Sequence, residues 1–219
     1  MILIIDDVLG SEHLETIRNI VSGLEFEDGR AAAGWSAALV KDNEQATVGR
    51  PLSALRDLIV HCILAHEVFA AAVRPKALTP LIVSRYGQGR RYGTHVDDAL
   101  MAGMRTDVSF TLFLADPDNY DGGELVIETS AGEDSFKLSA GSLVAYPSTT
   151  LHRVEPVTRG ERVAAVGWAR SLVRSAERRE LLFDLDRARR ALFSREGKSP
   201  EFDLLSKTHA NLLRMWMDD

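Results

Sequence analysis

The chain has one cysteine, Cys62, among 219 residues, so it cannot form an internal disulfide. Cys62 lies in the apolar segment 58–64, where we expect a small buried side chain. Chains without disulfides are typical of reducing compartments, and a cytoplasmic location is therefore predicted. The chain is long enough to be stabilised by its hydrophobic core alone.

The chain also lacks an excess of basic residues and any long apolar segment. Its 32 Asp and Glu outnumber its 26 Lys and Arg, whereas nucleic-acid-binding domains usually need the opposite balance to neutralise phosphates. No nucleic-acid partner is predicted, and the pair Arg90-Arg91 is only a local exception. The apolar segment 1–5 meets Asp6 directly and is too short for a signal peptide or a membrane span. No membrane partner is predicted either.

Helical periodicity is present near both ends of the chain. Apolar residues at helical spacing predict four helices, at about residues 12–23, 51–72, 176–193 and 201–216. Ser11 is the expected N-cap of the first helix, since a serine side chain can accept a hydrogen bond from the first turn. A short strand is predicted over residues 2–5.

Short strand-like segments replace the helical pattern in the middle of the chain. Seven strands are predicted, at residues 81–86, 106–115, 124–128, 135–138, 143–146, 152–157 and 162–168. Seven strands without an intervening helix indicate an antiparallel sandwich or a jelly-roll barrel. Ser109 and Thr111 share one face of the second strand, and we expect that face to line an interior cavity.

Two histidines and an aspartate within this strand region form a possible metal site. His95, Asp97 and His152 would supply two imidazoles and one carboxylate, the three ligands that hold non-haem Fe(II) and leave three coordination positions open. Residues two apart on a strand point the same way, so His95 and Asp97 are expected on one side. This alternation favours Asp97 over Asp98 as the ligand.

Arg162 follows this group and could bind an anion. Its forked guanidinium is always charged and can grip a carboxylate in a bidentate pair, such as the far carboxylate of 2-oxoglutarate. Residues 158–161 are interpreted as a hairpin turn. His152 and Arg162 are therefore expected on adjacent strands of one hairpin.

These residues leave other interpretations open. A His-x-Asp pattern is common by chance, and a lone histidine or arginine is more often a core or surface group than a functional one. One alternative function is a nucleic-acid oxidative demethylase that uses the same metal site. Another is a cupin-like module that binds or senses metal without turnover. Trp168, in a predicted strand, is expected to belong to the core.

Longer motifs extend along the whole chain. Residues 85–99 read RYGQGRRYGTHVDDA and residues 146–154 read YPSTTLHRV, and further motifs lie at 28–34, 40–45, 107–114, 120–125, 181–185 and 211–216. With these motifs the chain resembles the bacterial PKHD-type hydroxylases, iron- and 2-oxoglutarate-dependent dioxygenases related to the prolyl 4-hydroxylases. The resemblance implies a mainly β fold of the α+β class, with a double-stranded β-helix (jelly-roll) core, N-terminal helices and a C-terminal helical extension.

The resemblance also implies roles for individual residues. It makes His95, Asp97 and His152 the iron ligands and Arg162 the residue that binds 2-oxoglutarate. Tyr86 is a further candidate for binding this co-substrate, because related prolyl hydroxylases carry a tyrosine shortly before His-x-Asp; packing within the strand is the alternative. The implied cofactors are Fe(II), 2-oxoglutarate and L-ascorbate, and the implied partners are dioxygen and an unidentified prime substrate.

These inferences divide the chain into three parts. They are an N-terminal segment at 1–76, an Fe(II)/2-oxoglutarate dioxygenase domain at 77–172 and a C-terminal helical extension at 173–219. The C-terminal helices could provide the interface of a homo-oligomer. The predicted activity is hydroxylation of a peptidyl or small-molecule substrate, with release of succinate and carbon dioxide.

Overall fold

The computed structural model of the chain describes residues 1–218. Its helices are α1 (Ser11–Ser22), α2 (Arg50–Ala65), α3 (Glu67–Val73), α4 (Ala176–Glu196) and α5 (Pro200–Trp216). Its strands are β1 (Leu3–Ile5), β2 (Phe26–Asp28), β3 (Lys41–Asp42), β4 (Glu44–Ala46), β5 (Pro75–Leu78), β6 (Ile82–Tyr86), β7 (Arg91–His95), β8 (Leu100–Met101), β9 (Met104–Arg105), β10 (Val108–Phe113), β11 (Tyr120–Gly122), β12 (Leu125–Thr129), β13 (Gly132–Phe136), β14 (Leu143–Pro147), β15 (His152–Val154), β16 (Val157–Gly160) and β17 (Arg162–Ser171). Short 3-10 helices lie at Gly29–Ala32, Ala37–Leu39 and Pro117–Asn119.

Two antiparallel sheets enclose the centre of the molecule. The larger sheet has the strand order β1-β14-β10-β17-β6-β4-β2, and β5 also pairs with β17. The smaller sheet has the order β13-β12-β15-β7-β3, while β11-β16 and β8-β9 form two separate pairs. The predicted mainly β fold, with a jelly-roll core and flanking helices, is confirmed.

The alternation of side chains along β10 separates a helix-facing core from the interior between the sheets. The two faces are Val108, Phe110 and Leu112 on one side and Ser109, Thr111 and Phe113 on the other. The first face packs against α2 and α3, where the Phe110 and Phe69 rings meet edge to face at 5.5 Å. On the second face, Ser109 and Thr111 line a cavity between the sheets, as predicted from the sequence.

The helices agree with the predicted positions except at two points. Residues 50–73 form two helices rather than one, because His66 takes an extended conformation, with ψ of 116°, between α2 and α3. The break lets Phe69 of α3 join the core beneath the larger sheet, so tertiary packing overrides the continuous helical pattern. Gly10 rather than Ser11 is the N-cap of α1, and no side chain caps its first turn.

The predicted hairpin between His152 and Arg162 is wrong. Three of the four residues expected to form the turn at 158–161 instead belong to β16, which pairs with β11. Gly160 has φ of 72°, and a Cβ on it would lie 2.0 Å from the Asn119 carbonyl oxygen, so this glycine permits close contact between two strands. The chain then crosses from the smaller sheet to the larger one, and His152 and Arg162 therefore belong to different sheets.

The burial of the single cysteine and the character of the helices bear on two expectations from composition. Cys62 is buried, as predicted, and its Sγ lies 3.7 Å from His13 Nδ1 of α1. Among residues 1–218, no helix has both the length and the apolar character that crossing a membrane would require.

Candidate active site

Three potential metal ligands meet where β7 and β15 pair. His95 is the last residue of β7 and lies directly opposite His152 of β15. The Asp97 carboxylate oxygens lie 4.0 Å from His95 Nε2 and 3.8 Å from His152 Nε2. One donor atom from each residue lies within 4.8 Å of the other two. The structure thus brings together the three side chains that the sequence nominated.

Asp97 reaches this cluster by a different route from the one predicted. Because β7 ends at His95, Asp97 lies beyond the strand and strand alternation does not orient it. Instead, its carboxylate accepts a hydrogen bond of 2.6 Å from Ser109 Oγ of β10. The neighbouring Asp98 carboxylate packs against Gly34, where a Cβ would lie 2.5 Å from its Oδ2. Asp97, and not Asp98, therefore faces the imidazoles.

Backbone carbonyl groups orient both imidazoles. His95 Nδ1 lies 2.9 Å from the Gly93 carbonyl oxygen, and His152 Nδ1 lies 3.1 Å from the Thr150 carbonyl oxygen. A carbonyl oxygen can only accept, so each Nδ1 carries the proton and donates it. Each Nε2 then has a free lone pair, which is the state that a metal ligand needs.

The electrostatics of the site also keep His95 neutral. Burial, with a smaller contribution from the adjacent His152, lowers the pKa of the His95 imidazole to about 4, against the opposing effects of Gly93 and Asp97. Two neutral imidazoles and a carboxylate are a donor set that suits Fe(II). The residues present therefore fit the metal that the sequence pattern indicated.

The lowered pKa of His95 predicts a pH dependence of stability. Between pH 6.5 and about 4, His95 of the unfolded chain binds a proton that the folded chain does not. The free energy of unfolding of the metal-free protein should therefore fall as the pH is lowered through this window. Urea unfolding of the wild type and of His95→Gln at several pH values checks this, and equal pH slopes for the two proteins would contradict it.

A chain of two hydroxyl groups supports Asp97. Ser148 Oγ lies 2.9 Å from Ser109 Oγ. Since Ser109 has a single proton, which it donates to Asp97, Ser148 must donate to Ser109. Both serines are buried. Such partners fix the direction in which a carboxylate ligand points.

Ser109→Ala should weaken Fe(II) binding by about 10- to 100-fold, the usual cost of losing a hydrogen bond to a metal ligand. Anaerobic Fe(II) titration with unfolding curves measured alongside gives this ratio. Ser148→Ala is the graded comparison and should cost less, because it acts on Asp97 only through Ser109. An equal loss in both variants would contradict a series of hydrogen bonds that runs from Ser148 through Ser109 to Asp97.

Arg162 is the largest fully buried side chain, with 1% exposure. Its guanidinium lies over the rings of Tyr86 and Phe113, at 5.2 and 5.3 Å from their centroids. Within residues 1–218 it forms no ion pair, and its Nε has no hydrogen-bond partner. A buried cation without a counterion is costly, so this environment calls for an anionic ligand.

Tyr86 lies directly opposite Arg162 where β6 pairs with β17. Burial raises the pKa of its phenol, and the charge of Arg162 and the nearby side chain of Asn43 oppose this in part. The hydroxyl therefore stays protonated near neutral pH and can donate to an anion beside Arg162. Both residues line the cavity that contains the three potential metal ligands.

The cavity, of about 130 Å³, has polar residues that the sequence interpretation missed. Lys41, Asn43 and Gln45 are buried and line one wall where the chain passes from β3 to β4. Burial lowers the pKa of Lys41 to about 8, although Asp97 and Asp28 act in the opposite direction. The sequence does contain a pattern that predicts this polar wall. Residues 41, 43 and 45 are two apart, which places them on one face of an extended segment.

Trp168 lines the cavity too, so the expectation that it belongs to the core needs correction. It lies on β17, six residues from Arg162 and opposite Ser109 of β10. Its indole Nε1 is buried and has no hydrogen-bond partner among residues 1–218. Side chains two apart on β17 point into the cavity, which is why position 168 faces the interior as position 162 does.

Comparison with known sequences and structures agrees with this geometry. Residues 81–170 match the profile of the 2OG-Fe(II) oxygenase superfamily, and residues 177–218 match the PKHD-type hydroxylase C-terminal domain. A PKHD-type hydroxylase of Acaryochloris marina is 52% identical over 219 residues, and one of Maricaulis maris is 50% identical over 219 residues. Each alignment covers 100% of both chains.

Solved structures show the same fold at low sequence identity. A Pseudomonas putida prolyl-4-hydroxylase matches with a TM-score of 0.51 and 21% identity, covering 78% of this chain and 92% of that one. A Trichoplax adhaerens prolyl hydroxylase in complex with a hypoxia inducible factor peptide fragment matches with a TM-score of 0.54 and 18% identity, covering 83% and 86%.

The fold and the site define an Fe(II)- and 2-oxoglutarate-dependent dioxygenase. This class uses 2-oxoglutarate and dioxygen together with a prime substrate. Within the class, the chain belongs to the PKHD-type hydroxylase family, because full-length relatives share about half of its residues.

Proposed function

We propose that His95, Asp97 and His152 bind Fe(II) and that Arg162 binds the far carboxylate of 2-oxoglutarate. The observation that carries this proposal is the buried guanidinium of Arg162, which lacks a counterion and lines the same cavity as the three ligands. Tyr86 lies opposite Arg162 and is proposed to donate a second hydrogen bond to the co-substrate.

The protein's own residues would hold and orient the reactants. Nε2 of each histidine and the Asp97 carboxylate would hold the ion, and a set of three protein ligands would leave coordination positions for the co-substrate and dioxygen. Arg162 and Tyr86 fix the far end of 2-oxoglutarate, while the buried walls exclude water. Bound iron would supply the oxidative chemistry, in which dioxygen gives one oxygen atom to the succinate formed from 2-oxoglutarate, with loss of carbon dioxide, and the other to the hydroxyl group of the prime substrate.

The cavity mouth supports a substrate that offers apolar surface. Exposed apolar side chains lie beside cavity-lining residues on the two segments that border it, namely Trp35, Leu39, Val96 and Leu100. Exposed apolar clusters of this kind mark binding surfaces. We propose that the prime substrate, peptidyl or small, places an apolar portion against this rim.

The alternative of a nucleic-acid demethylase receives no support from Arg90, one of the two residues of the basic pair. Arg90 NH1 lies 3.5 Å from Asp42 and its NH2 lies 3.3 Å from Glu44, so its charge is already neutralised. A phosphate would have to displace both carboxylates. The family relationship favours a dioxygenase over a cupin-like module that only binds or senses metal.

Three finer proposals concern L-ascorbate, quaternary structure and location. L-ascorbate would re-reduce iron after turnovers that do not hydroxylate substrate.

Exposed Leu204 and Met215 of α5, with Phe193 of α4, support a homo-oligomeric contact, which sedimentation of the full chain tests. The cytoplasmic location stays a prediction, based on the single cysteine.

We also propose the division of the chain into parts 1–76, 77–172 and 173–219. The two family profiles match within the second and third parts. The first part nevertheless contributes β1, β2 and β4 to the larger sheet, so we expect it to fold together with the dioxygenase domain.

The proposed activity is tested by succinate formation. Purified chain with Fe(II), 2-oxoglutarate and dioxygen should release succinate, faster when a pool that contains the prime substrate is added. Mass spectrometry should then find one added oxygen atom in a component of that pool. Succinate release that does not require Fe(II), or no release with any pool, would contradict the proposal.

A further inference from the structure

The side-chain amide of Asn43 is buried and lies near the Tyr86 hydroxyl, without a hydrogen bond of good geometry to it. Its side chain is 1% exposed, yet neither Oδ1 nor Nδ2 has a partner within residues 1–218. Buried amide groups are nearly always hydrogen-bonded, and an exception calls for an explanation. Asn43 also lines the cavity, so a bound molecule could supply the missing partner.

The position of Asn43 places it at the Arg162 end of the cavity. In the pairing of β4 with β6, Glu44 lies opposite Arg85 and Gln45 opposite Ser84. Continuing this antiparallel register by one residue brings Asn43 to Tyr86. Tyr86 is in turn opposite Arg162 on β17. Asn43 is thus close to the proposed binding site for the distal carboxylate.

Close packing behind the amide holds it in place. The backbone N–H of Gly29 donates a hydrogen bond of 2.9 Å to the backbone carbonyl oxygen of Asn43. A Cβ on Gly29 would lie 2.0 Å from Asn43 Oδ1 and 3.1 Å from Gln45 Cγ. Only a glycine at position 29 therefore leaves room for the Asn43 side chain in this orientation.

We propose that Asn43 Nδ2 donates a hydrogen bond to the distal carboxylate of 2-oxoglutarate, which makes Asn43 a residue that determines co-substrate specificity. The inference rests on the proposed role of Arg162 at the same carboxylate. A carboxylate has about four acceptor positions, and a bidentate arginine occupies two of them. An amide and a phenol can take the others, which would satisfy Asn43 and Tyr86 together.

Calorimetric titration of the anaerobic Fe(II)-loaded chain with 2-oxoglutarate tests this inference without relying on turnover. Asn43→Ala should raise the Kd by about 10- to 100-fold, as expected when a hydrogen bond to a charged group is lost. Asn43→Asp should weaken binding at least as much, because a carboxylate would then face a carboxylate. Asn19→Ala removes a similar amide from the exposed face of α1, outside the cavity, and should leave the Kd unchanged.

A second ligand identifies the group that Asn43 recognises. 2-Oxopentanoate keeps the keto acid and lacks the distal carboxylate, so wild type and Asn43→Ala should bind it with equal affinity. Cooperative thermal unfolding of the ligand-free variant is the control that it has folded.

The other possible results of these titrations contradict either the role of Asn43 or the role of Arg162. If Asn43→Ala binds 2-oxoglutarate as the wild type does, the inference about Asn43 fails and the role of Arg162 stands. Equal losses for both ligands would assign Asn43 to the keto acid end or to the cavity shape, and would also overturn it. If the wild type itself fails to discriminate between the two ligands, the proposed role of Arg162 fails as well.

Discussion

Asp97→Asn is expected to reduce Fe(II)-dependent succinate formation by more than about 100-fold, because loss of a direct ligand should exceed the 10- to 100-fold cost of losing a supporting hydrogen bond. The substitution keeps the shape of the side chain and removes its charge, so the fold should be unaffected. Succinate assays at saturating 2-oxoglutarate, together with Fe(II) titration, measure the loss.

Asp98→Asn is the matched control for this prediction. Asp98 is adjacent in sequence, but its carboxylate packs at Gly34 and takes no part in the cluster of His95, Asp97 and His152. Because Asp98 lines the cavity without belonging to this cluster, its substitution should leave the Fe(II) affinity within about twofold of the wild type. Equal losses in the two variants would contradict the assignment of Asp97.

Arg162→Met should have two opposite effects. Loss of the bidentate charged pair should raise the Kd of 2-oxoglutarate by at least about 100-fold. The ligand-free protein, however, should become more stable, by about 1 kcal/mol or more, since the substitution removes a buried charge that has no counterion. Calorimetric titration and urea unfolding measure the two quantities separately.

Arg159→Met serves as the comparison for Arg162. Arg159 is exposed and pairs with Asp121 on the surface, at 2.6 Å, so neither quantity should change much. A ligand-free Arg162→Met protein that is several kcal/mol less stable than the wild type would contradict the view that the buried guanidinium awaits an anion.

The ligand types and the overall architecture could be predicted from local sequence patterns. His95, Asp97 and His152 stand out because imidazole and carboxylate chemistry limits the metals they suit. The strand alternation of β10 identified the polar face with Ser109. The clustering of the three side chains and the polar face of β10 agree with the structure because each depends on residue chemistry or on a short-range period.

The path of the chain between sheets could not be predicted in the same way. Residues 158–161 have the composition of a turn, but Gly160 is needed for its close contact with Asn119, which is distant in sequence. Asp97 is oriented by Ser109 on another strand rather than by its own strand. Both errors come from tertiary contacts that local patterns do not contain.

The polar wall and Trp168 were missed for a related reason. Lys41 and Asn43 lie more than 50 residues before His95 in the sequence, and only the crossing from β3 to β4 brings them to the cavity. Trp168 has the pattern of a core residue, and its unpartnered indole nitrogen becomes visible only in the folded structure. Burial of a polar group without a partner is information that the sequence alone does not carry.

The central claim is that His95, Asp97 and His152 bind Fe(II) while 2-oxoglutarate chelates the same ion. Anaerobic addition of Fe(II) and 2-oxoglutarate to the wild-type chain measures this directly through the visible charge-transfer band of the chelate. The account predicts a weak band that requires both additions and is absent in His95→Ala and Asp97→Ala. No band in the wild type, or an undiminished band in these variants, would contradict it.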